Sequence, residues 1–317
     1  MSVETGTGKD TAVDVQGLVK RFGSFAAVEG LDLRVRGGEV HGFLGPNGAG
    51  KTTTIRVLLG LYRASAGRIR VLGCDPATEA AQVNRHVSYV PGEVTLWPNL
   101  TGQEVLDALA GLRGARNAAA ERRLTEDFAL EPRKPVRAYS KGNRQKVALV
   151  AAFAAPTDLL ILDEPTAGLD PLMEEVFQRC VREAAGAGRT VLLSSHILAE
   201  VEDVCESVSI IKDGRLVESG RLAEMRHLAA SRVTARLGAG REAAVRGELR
   251  TLGLDGGESS EADPDEPGRS DEVRMSVPRG QVTAVLGVLA AAGATDITCT
   301  PAKLEDLFLR HYQAVAR

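Results

Sequence analysis

Apolar and polar positions follow different patterns along the first part of the chain. Short strand patterns over residues 13–21 and 26–44 come first, and the second ends in a glycine-rich turn that opens a helical pattern. A section over about 97–157 is mostly helical in its pattern. The apolar runs at 158–165 and 189–196 are largely unbroken, which is typical of buried parallel strands. This part therefore predicts an α/β fold with a mixed β-core and a helical subdomain.

The pattern changes in the last quarter of the chain. From residue 229 onward, short strand and helix patterns alternate and predict a small C-terminal α/β domain over 229–317. An acidic segment, 255–272, interrupts this domain, and its low hydrophobicity with Pro, Gly and Ser predicts a mobile loop. A larger domain over 13–228 precedes it, and the polar residues 1–12 are expected to form a disordered tail.

Charge and cysteine content narrow the class of protein only mildly. The 317 residues carry a net charge of −3, so no nucleic-acid partner is expected. Four cysteines lie far apart without metal-ligand spacing, which favours reduced thiols in a cytosolic protein. The first residues lack the apolar run of a secretory leader, and no stretch reaches the about 18–20 apolar residues of a membrane span. If the protein acts at a membrane, another chain is expected to cross it.

The glycine-rich turn has the pattern of a phosphate-binding loop. GPNGAGKTT fits G-x-x-x-x-G-K-[ST] and lies between a strand and a helix, where backbone N–H groups can surround phosphates. Lys51 is expected to reach the β- and γ-phosphates, and the Thr52 hydroxyl to hold Mg²⁺. The residues predicted to bind the nucleotide are Gly45, Pro46, Asn47, Gly48, Ala49, Gly50, Lys51, Thr52 and Thr53.

Two further apolar strands end in residues suited to phosphate chemistry. In LLILDEP, Asp163 can hold Mg²⁺ through water, and Glu164 can polarise a water for in-line attack. The alternative is a solvated turn that merely ends the strand. His196 ends the run RTVLLSSH, where it could hydrogen-bond a γ-phosphate. A lone His in such a place would more often be structural, but with Lys51 and Glu164 it completes a predicted catalytic set of Lys51, Glu164 and His196.

The segment YSKGNRQ, which begins at Tyr139, resembles the signature loop of ATP-binding cassette (ABC) ATPases, whose usual form is L-S-G-G-Q. Ser140 and Gly142 match that form, whereas Tyr139, Lys141 and Asn143 depart from it. In that family the loop covers the γ-phosphate bound to the other subunit of a head-to-tail dimer. The resemblance therefore implies that Ser140, Lys141, Gly142 and Asn143 contact ATP on a partner subunit through a hydroxyl, backbone N–H groups and a helix N-terminus.

Other motifs of the same family occur in the same order, from residue 13 to about 225. Phe22 falls where the family stacks an aromatic ring on adenine, although a core position at a strand end is the alternative. Asp170 in TAGLDP resembles the D-loop residue that meets the partner, and His196 matches the H-loop. The resemblance implies a P-loop NTPase fold of the ABC ATPase type, ATP and Mg²⁺ as cofactors, and an ATP-dependent dimer.

The sequence departs from the family at a metal-contacting position. The family places a Gln about 40 residues after the phosphate loop, and here Gly92 stands at that position with Glu93 beside it. Either Glu93 substitutes as a metal ligand, or Mg²⁺ is held by Thr52, Asp163 and water. Lys141 could add positive charge at the γ-phosphate or point to solvent.

Three classes of P-loop protein remain to be separated. A GTPase needs an N-K-x-D tetrad, which the chain lacks. Soluble ABC ATPases of translation carry two cassettes on one chain, and those of DNA maintenance insert a long coiled coil before the second phosphate motif. This chain has one cassette and no room for that insertion. The ATPase subunit of a transporter is therefore favoured, with a soluble ABC ATPase as the alternative.

The end of the chain indicates the kind of transporter. TPAKLEDLFLRHYQ resembles the closing motif of daunorubicin-resistance export ATPases, and VPGEVTLWPNLTG resembles tetronasin-like exporters. The alternative for TPAKLEDLFLRHYQ is an amphipathic helix that buries Leu304, Leu307 and Phe308. Trp97 lies either at the interface with a membrane subunit or in the core. The resemblance implies a subunit at the cytoplasmic face of the membrane that powers a separate permease exporting drugs, antibiotics or other hydrophobic compounds; an importer is the alternative.

Overall fold

The structure is a computed structural model that describes residues 11–228, 231–238, 240–251 and 272–300. The chain divides into two compact units, residues 1–222 and 223–317. This boundary lies six residues before the one expected at 228, because the helix over residues 222–228 falls almost entirely in the second unit.

The first unit contains nine strands and seven complete helices in its described residues. The strands are β1 (Thr11–Phe22), β2 (Phe25–Arg36), β3 (Val40–Leu44), β4 (Ala66–Val71), β5 (Val87–Val90), β6 (Leu159–Asp163), β7 (Thr190–Ser195), β8 (Ser207–Lys212) and β9 (Arg215–Arg221). The helices are α1 (Lys51–Leu58), α2 (Ala80–Arg85), α3 (Gly102–Arg113), α4 (Ala118–Asp127), α5 (Lys141–Ala154), α6 (Pro171–Gly186) and α7 (Leu198–Val204). A further helix, α8 (Leu222–Leu228), begins at the unit's last residue.

The first strand corrects the expected disordered tail over residues 1–12. Thr11 pairs with Arg36 on β2, and Ala12 is buried, so these two residues already belong to the sheet. Residues 1–10 lie outside the described part of the chain.

The central sheet has six strands in the order β5-β6-β7-β3-β8-β9. The pairs β5–β6, β6–β7, β7–β3 and β3–β8 are parallel, whereas β9 returns antiparallel to β8. Strands β3, β6 and β7 are buried along their whole length, which explains why their sequences lack a regular alternation of apolar and polar residues. Their carboxyl ends meet at one edge of the sheet, where ligands bind in open α/β sheets.

A smaller antiparallel sheet, in the order β2-β1-β4, shares its core with the central sheet. The shared core contains buried side chains from both sheets and from α1, including Val13, Leu18, Leu31, Phe43, Ile55, Leu58, Leu159 and Leu192. This core fixes the start of α1 against the end of β3, which places the glycine-rich turn between them.

The second unit is a small α/β structure in its described residues. β10 (Ser231–Arg236) pairs antiparallel with both β11 (Glu272–Val277) and β12 (Thr295–Thr300). The helices α9 (Glu242–Thr251) and α10 (Val282–Ala291) contact each other. Its core is formed by Val233, Ala235, Leu237, Val245, Leu249, Met275, Val277, Val285 and Leu289.

Some expectations for the C-terminal part fall outside the described residues. These are the mobile acidic loop, apart from Glu272, and the closing helix with Leu304, Leu307 and Phe308. Glu272 itself is the first residue of β11. In the part of the chain that the structure describes, no helix has both the length and the apolar character needed to cross a membrane.

The C-terminal end of α5 is held by Arg189, the residue before β7. Its guanidinium donates to the carbonyl oxygens of Thr157 (2.7 Å), Phe153 (3.0 Å) and Ala152 (3.3 Å). Since the last turn of α5 has no basic residue of its own, these bonds satisfy carbonyls that a helix end leaves free. Burial lowers the pKa of Arg189 to about 10, so the side chain stays charged at neutral pH.

We expect Arg189→Ala to lower the free energy of unfolding of the first unit by about 2–3 kcal/mol, because buried carbonyls lose charge-assisted donors. Urea unfolding followed by the fluorescence of Trp97, the single tryptophan, reports on this unit. Arg182→Ala is the control, since Arg182 is exposed and donates at 3.2 Å to the carbonyl of Asp203 instead. Equal losses for both variants would contradict the anchoring role of Arg189.

Candidate functional site

The glycine-rich turn between β3 and α1 has a shape that only glycine allows at several positions. Gly48 and Gly50 have φ angles of 82° and 104°, in the left-handed region. A Cβ atom at Gly45 would lie 2.3 Å from the carbonyl oxygen of Ile211. Asn47 and Gly48 are exposed at the tip of the turn. Because a side chain is excluded at these glycines, backbone N–H groups remain accessible to a phosphate.

Lys51, the first residue of α1, is buried at the mouth of this loop. Its Nζ donates to the carbonyl oxygens of Gly45 (2.6 Å) and Pro46 (3.2 Å). The same Nζ lies 3.2 Å from Oε1 of Glu164, and the Lys51 side chain is only 5% exposed. The ammonium group therefore joins the loop after β3 to the end of β6, whereas its predicted contact with the β- and γ-phosphates stays a prediction.

The side chains of Thr52 and Asp163 meet between α1 and β6. The Thr52 hydroxyl donates to Oδ2 of Asp163 at 2.8 Å. The other oxygen, Oδ1, is buried without a hydrogen-bond partner among the described residues. Burial raises the pKa of Asp163, and the bond from Thr52 opposes this rise. A buried acceptor oxygen beside a hydroxyl fits a hard cation that prefers oxygen ligands, such as Mg²⁺.

A cation at this position would take most of its ligands from groups outside the protein. Within the described residues, no group of three or more His, Cys, Asp and Glu side chains could hold a metal ion. Mg²⁺ commonly uses one or two protein oxygens together with water and substrate phosphates. The donor set of Thr52 and Asp163 matches that pattern.

Glu164 and His196 contact each other at the ends of β6 and β7. Nδ1 of His196 hydrogen-bonds Oε2 of Glu164, while Oε1 of Glu164 pairs with Lys51. Glu164 has a φ of 49°, a left-handed conformation that costs energy for a residue other than glycine. Half-exposed His196 and partly exposed Glu164 (44% and 20% of their side chains) border solvent. The structure thus brings together Lys51, Glu164 and His196, the three residues predicted to be catalytic.

The signature-like loop forms a separate group. Ser140 caps α5, and its hydroxyl accepts a hydrogen bond from the Asn143 N–H at 3.2 Å. A Cβ atom on Gly142 would lie 2.3 Å from the carbonyl oxygen of Gly168, so this glycine allows the loop to pack on residues 166–171. Lys141 and Ser140 are exposed. Among the described residues, no hydrogen bond or ion pair joins residues 140–143 to the phosphate loop.

Asp170 caps a helix of its own chain. Its side chain caps α6 and accepts from the Met173 N–H at 3.1 Å. The residue is exposed, so it also lies at the surface beside the signature-like loop. The expectation that it meets a partner subunit stays a prediction.

The two aromatic residues singled out from the sequence are both accessible. Phe22, at the end of β1, is 44% exposed and lies edge-on to Tyr62 with ring centroids 5.4 Å apart. Nζ of Lys20 lies 4.6 Å from the centroid of the Phe22 ring. Trp97 is 48% exposed. The structure therefore contradicts the alternatives that would bury these two rings in the core.

The position that lacks the family's Gln adjoins Asp163 and Glu164. A Cβ atom on Gly92 would lie 3.4 Å from the Asp163 carbonyl oxygen and 3.6 Å from Cβ of Glu164, both ordinary contacts. Glu93 is exposed. Position 92 thus faces the site, whereas the metal-ligand role considered for Glu93 stays a prediction.

Several residues around the site escape sequence reasoning. Gln145 is 1% exposed and donates to the Pro165 carbonyl oxygen at 2.9 Å, which ties α5 to the segment after Glu164. Buried Tyr139 donates to the Glu131 carbonyl oxygen at 2.6 Å. The two contacts span 20 and 8 residues of sequence, and the polar residue that makes each of them gives no signal of its partner.

Comparison with known proteins agrees with this geometry. The family described as ABC transporter matches residues 28–167. The daunorubicin resistance ATP-binding protein DrrA3 of Streptomyces coeruleorubidus is 43% identical over 212 residues, 65% of this chain and 67% of the relative. The solved structure of an ATP-binding subunit of an ABC transporter is 34% identical, with a TM-score of 0.64, over 68% of this chain and 92% of that chain.

A dimeric ATP-binding cassette in a post-hydrolysis state, bound to ADP and Pi, shares the fold with a TM-score of 0.59 at 22% identity, over 66% of this chain and 98% of that chain. The chain belongs to the ABC transporter family, and it is an ATP-binding ATPase cassette of that family. The expected fold class and the likeness to drug-resistance ATP-binding proteins are confirmed.

We expect Asp163→Asn to stabilise the protein at neutral pH when Mg²⁺ and nucleotide are left out. Because burial raises the pKa of Asp163, the charged carboxylate is less favourable in the folded parent than in the unfolded chain. The parent therefore loses stability as pH rises from the ordinary carboxyl pKa through the raised one. The asparagine variant lacks this loss, so its advantage over the parent should be present at pH 7.5 and vanish near pH 4.

Urea unfolding of parent and variant at the two pH values measures this advantage. With Mg²⁺ and ATP at saturation, the order should reverse, since a ligand stabilises only the protein that binds it. An advantage of equal size at both pH values would show that the buried charge of Asp163 is not its cause.

Proposed function

We propose that two copies of this chain bind head to tail around two ATP molecules and that the pair powers a separate membrane subunit, which exports drugs, antibiotics or other hydrophobic compounds. The observation that carries the proposal is the connected set Lys51–Glu164–His196 beside the phosphate loop, with the signature-like loop exposed elsewhere on the same chain. A second copy can supply that exposed loop to the first copy's ATP.

Phosphate binding combines the loop's N–H groups with the ammonium of Lys51. Phe22 stacks on the adenine ring, and the exposure of its ring supports this role. Ser140 and Gly142 of the second copy cover the γ-phosphate from the opposite side, with the N-terminus of α5 adding positive potential. The same arrangement gives Asp170, at the adjoining surface, a place in the contact between the copies.

Hydrolysis uses the carboxylate of Glu164. The carboxylate orients a water and accepts its proton as the water oxygen bonds to the γ-phosphorus and the bond to the bridging oxygen of ADP breaks. His196 contacts the γ-phosphate in this proposal, and its hydrogen bond to Glu164 supports a shared role for the two residues. Thr52 and Asp163 would hold Mg²⁺, which when bound supplies charge neutralisation at the β- and γ-phosphates.

Coupling to a membrane subunit at the cytoplasmic face is supported by the family and by exposed Trp97. An exposed aromatic ring is a common anchor at protein interfaces. The similar Streptomyces protein is a daunorubicin resistance ATP-binding protein, which supports export and a drug-like substrate. Closure of the two cassettes on ATP and reopening after hydrolysis would shift the membrane subunit between two states.

We expect Glu164→Gln to bind ATP with nearly the affinity of the parent and to lose turnover by about 10²–10³-fold, because the amide cannot accept the water's proton. The closed dimer should then accumulate with ATP. Steady-state phosphate release and light scattering with ATP or ADP measure the two effects. Turnover close to that of the parent would remove Glu164 from its proposed role.

The same variant tests the transport proposal. A tagged Glu164→Gln chain is purified with ATP from detergent-solubilised membranes of the native cell, and the chains that co-purify are identified by mass spectrometry; a Lys51→Ala chain serves as the control that cannot close. A multi-span membrane protein in stoichiometric amount, present with the first bait only, supports the proposal. Recovery with ribosomes, DNA or no partner would contradict it and favour a soluble ABC ATPase.

A further inference from the structure

The carboxylate of Glu200 on α7 connects two loops at the catalytic edge of the sheet. Its Oε1 accepts a hydrogen bond from the Thr166 hydroxyl at 2.6 Å. Its Oε2 accepts one from the Ser195 hydroxyl, also at 2.6 Å. Both hydroxyl residues are buried, with exposures of 8% for Thr166 and 0% for Ser195. Hydrogen bonds of this length to a charged acceptor are among the stronger ones in proteins.

The two connected loops carry the catalytic pair. Thr166 comes two residues after Glu164, and Ser195 comes immediately before His196. The Ser195 oxygen also accepts from the N–H of Ile197 at 2.9 Å, which fixes the chain on both sides of His196. Glu200 therefore bonds to both loops, and the same two loops also meet directly through the contact between Glu164 and His196.

The helix that carries Glu200 has little freedom to move. Val201, the next residue, is 0% exposed and packs over β3, where a Cβ atom on Gly42 would lie 2.4 Å from its Cγ1. Leu198 is buried on the same helix. Since α7 is fixed against the sheet, its carboxylate provides a rigid reference for the loops after β6 and β7.

We propose that Glu200 is a positioning residue for ATP hydrolysis, which sets the distance and orientation between Glu164 and His196 through Thr166 and Ser195. The inference rests on the roles proposed above for that pair. Glu164 has a strained backbone, with a φ of 49°, so its conformation depends on support from neighbouring groups. Displacement of a catalytic group by about 1 Å can cost 10²-fold in rate, which makes such support kinetically important.

The first test compares Glu200→Ala with Asp203→Asn in the full chain. Asp203 lies on the same helix, and its carboxylate contacts Gln178 and neither loop. We expect Glu200→Ala to lower kcat by about 10–100-fold and to change the KM for ATP by less than about threefold, because the phosphate loop is untouched. The control should keep the kcat of the parent. Equal kcat values for the two variants would overturn the proposal.

Conservative variants separate positioning from a general loss of structure. Glu200→Gln keeps the length and one acceptor oxygen, so it should restore a large part of the kcat that Glu200→Ala loses. Thr166→Val removes one hydroxyl at nearly equal volume and should by itself lower kcat. The loss of kcat caused by Thr166→Val should be smaller in the Glu200→Gln background than in the parent. If kcat falls only in proportion to the folded fraction measured by Trp97 fluorescence, Glu200 only stabilises the fold and the proposal fails.

Measuring Glu200→Ala in the Glu164→Gln background distinguishes a failure of this inference from a failure of the proposed function. If Glu164→Gln has already lost turnover, adding Glu200→Ala should reduce the residual rate by less than about twofold, because both changes disable one unit. A further loss as large as that of Glu200→Ala alone would show that Glu200 acts elsewhere. If Glu164→Gln keeps the parental rate, the catalytic assignment itself is wrong, and Glu200 has no pair to position.

Discussion

The site depends on the parallel pairing of β6, β7 and β3 in adjacent positions of the central sheet. Parallel strands bring their carboxyl ends to one edge, so Asp163, Ser195 and the phosphate loop are neighbours although up to 150 residues separate them in sequence. The shared core of the two sheets fixes α1 at that edge. A shift of one residue in either pairing would turn Asp163 or Ser195 to the other face of the sheet and separate the groups.

Charge at this edge is balanced by close contacts within the chain. Lys51 lies between the loop carbonyls and Glu164, and Glu164 contacts His196. The remaining imbalance is the buried carboxylate of Asp163, whose Oδ1 has no hydrogen-bond partner among the described residues. We expect that buried charge to lower the stability of the ligand-free protein and to favour a cation, which is a common relation between stability and function at active sites.

Much of this site could be predicted from local patterns. The phosphate loop and the strand ending in Asp163–Glu164 combine a motif with a clear strand or helix pattern, and the structure brings them together as expected. Contacts made across the fold could not be predicted, because Arg189, Gln145 and Glu200 are ordinary polar residues until their partners are known. The ends of strands also depend on their pairing partners, as at Thr11, which extends β1 because it pairs with a residue of β2.

The head-to-tail sharing of ATP sites is the central claim, and mixing two inactive variants tests it most directly. Lys51→Ala removes the ammonium group expected to bind the phosphates. Ser140→Asp keeps a good cap for α5 but places a negative charge next to the γ-phosphate bound to the other copy. Each variant alone should be inactive. An equal mixture should regain about a quarter of the parental ATPase rate, since half of the dimers are mixed and each has one intact site. A mixture as inactive as its components would contradict the account and place all ATP contacts within one chain.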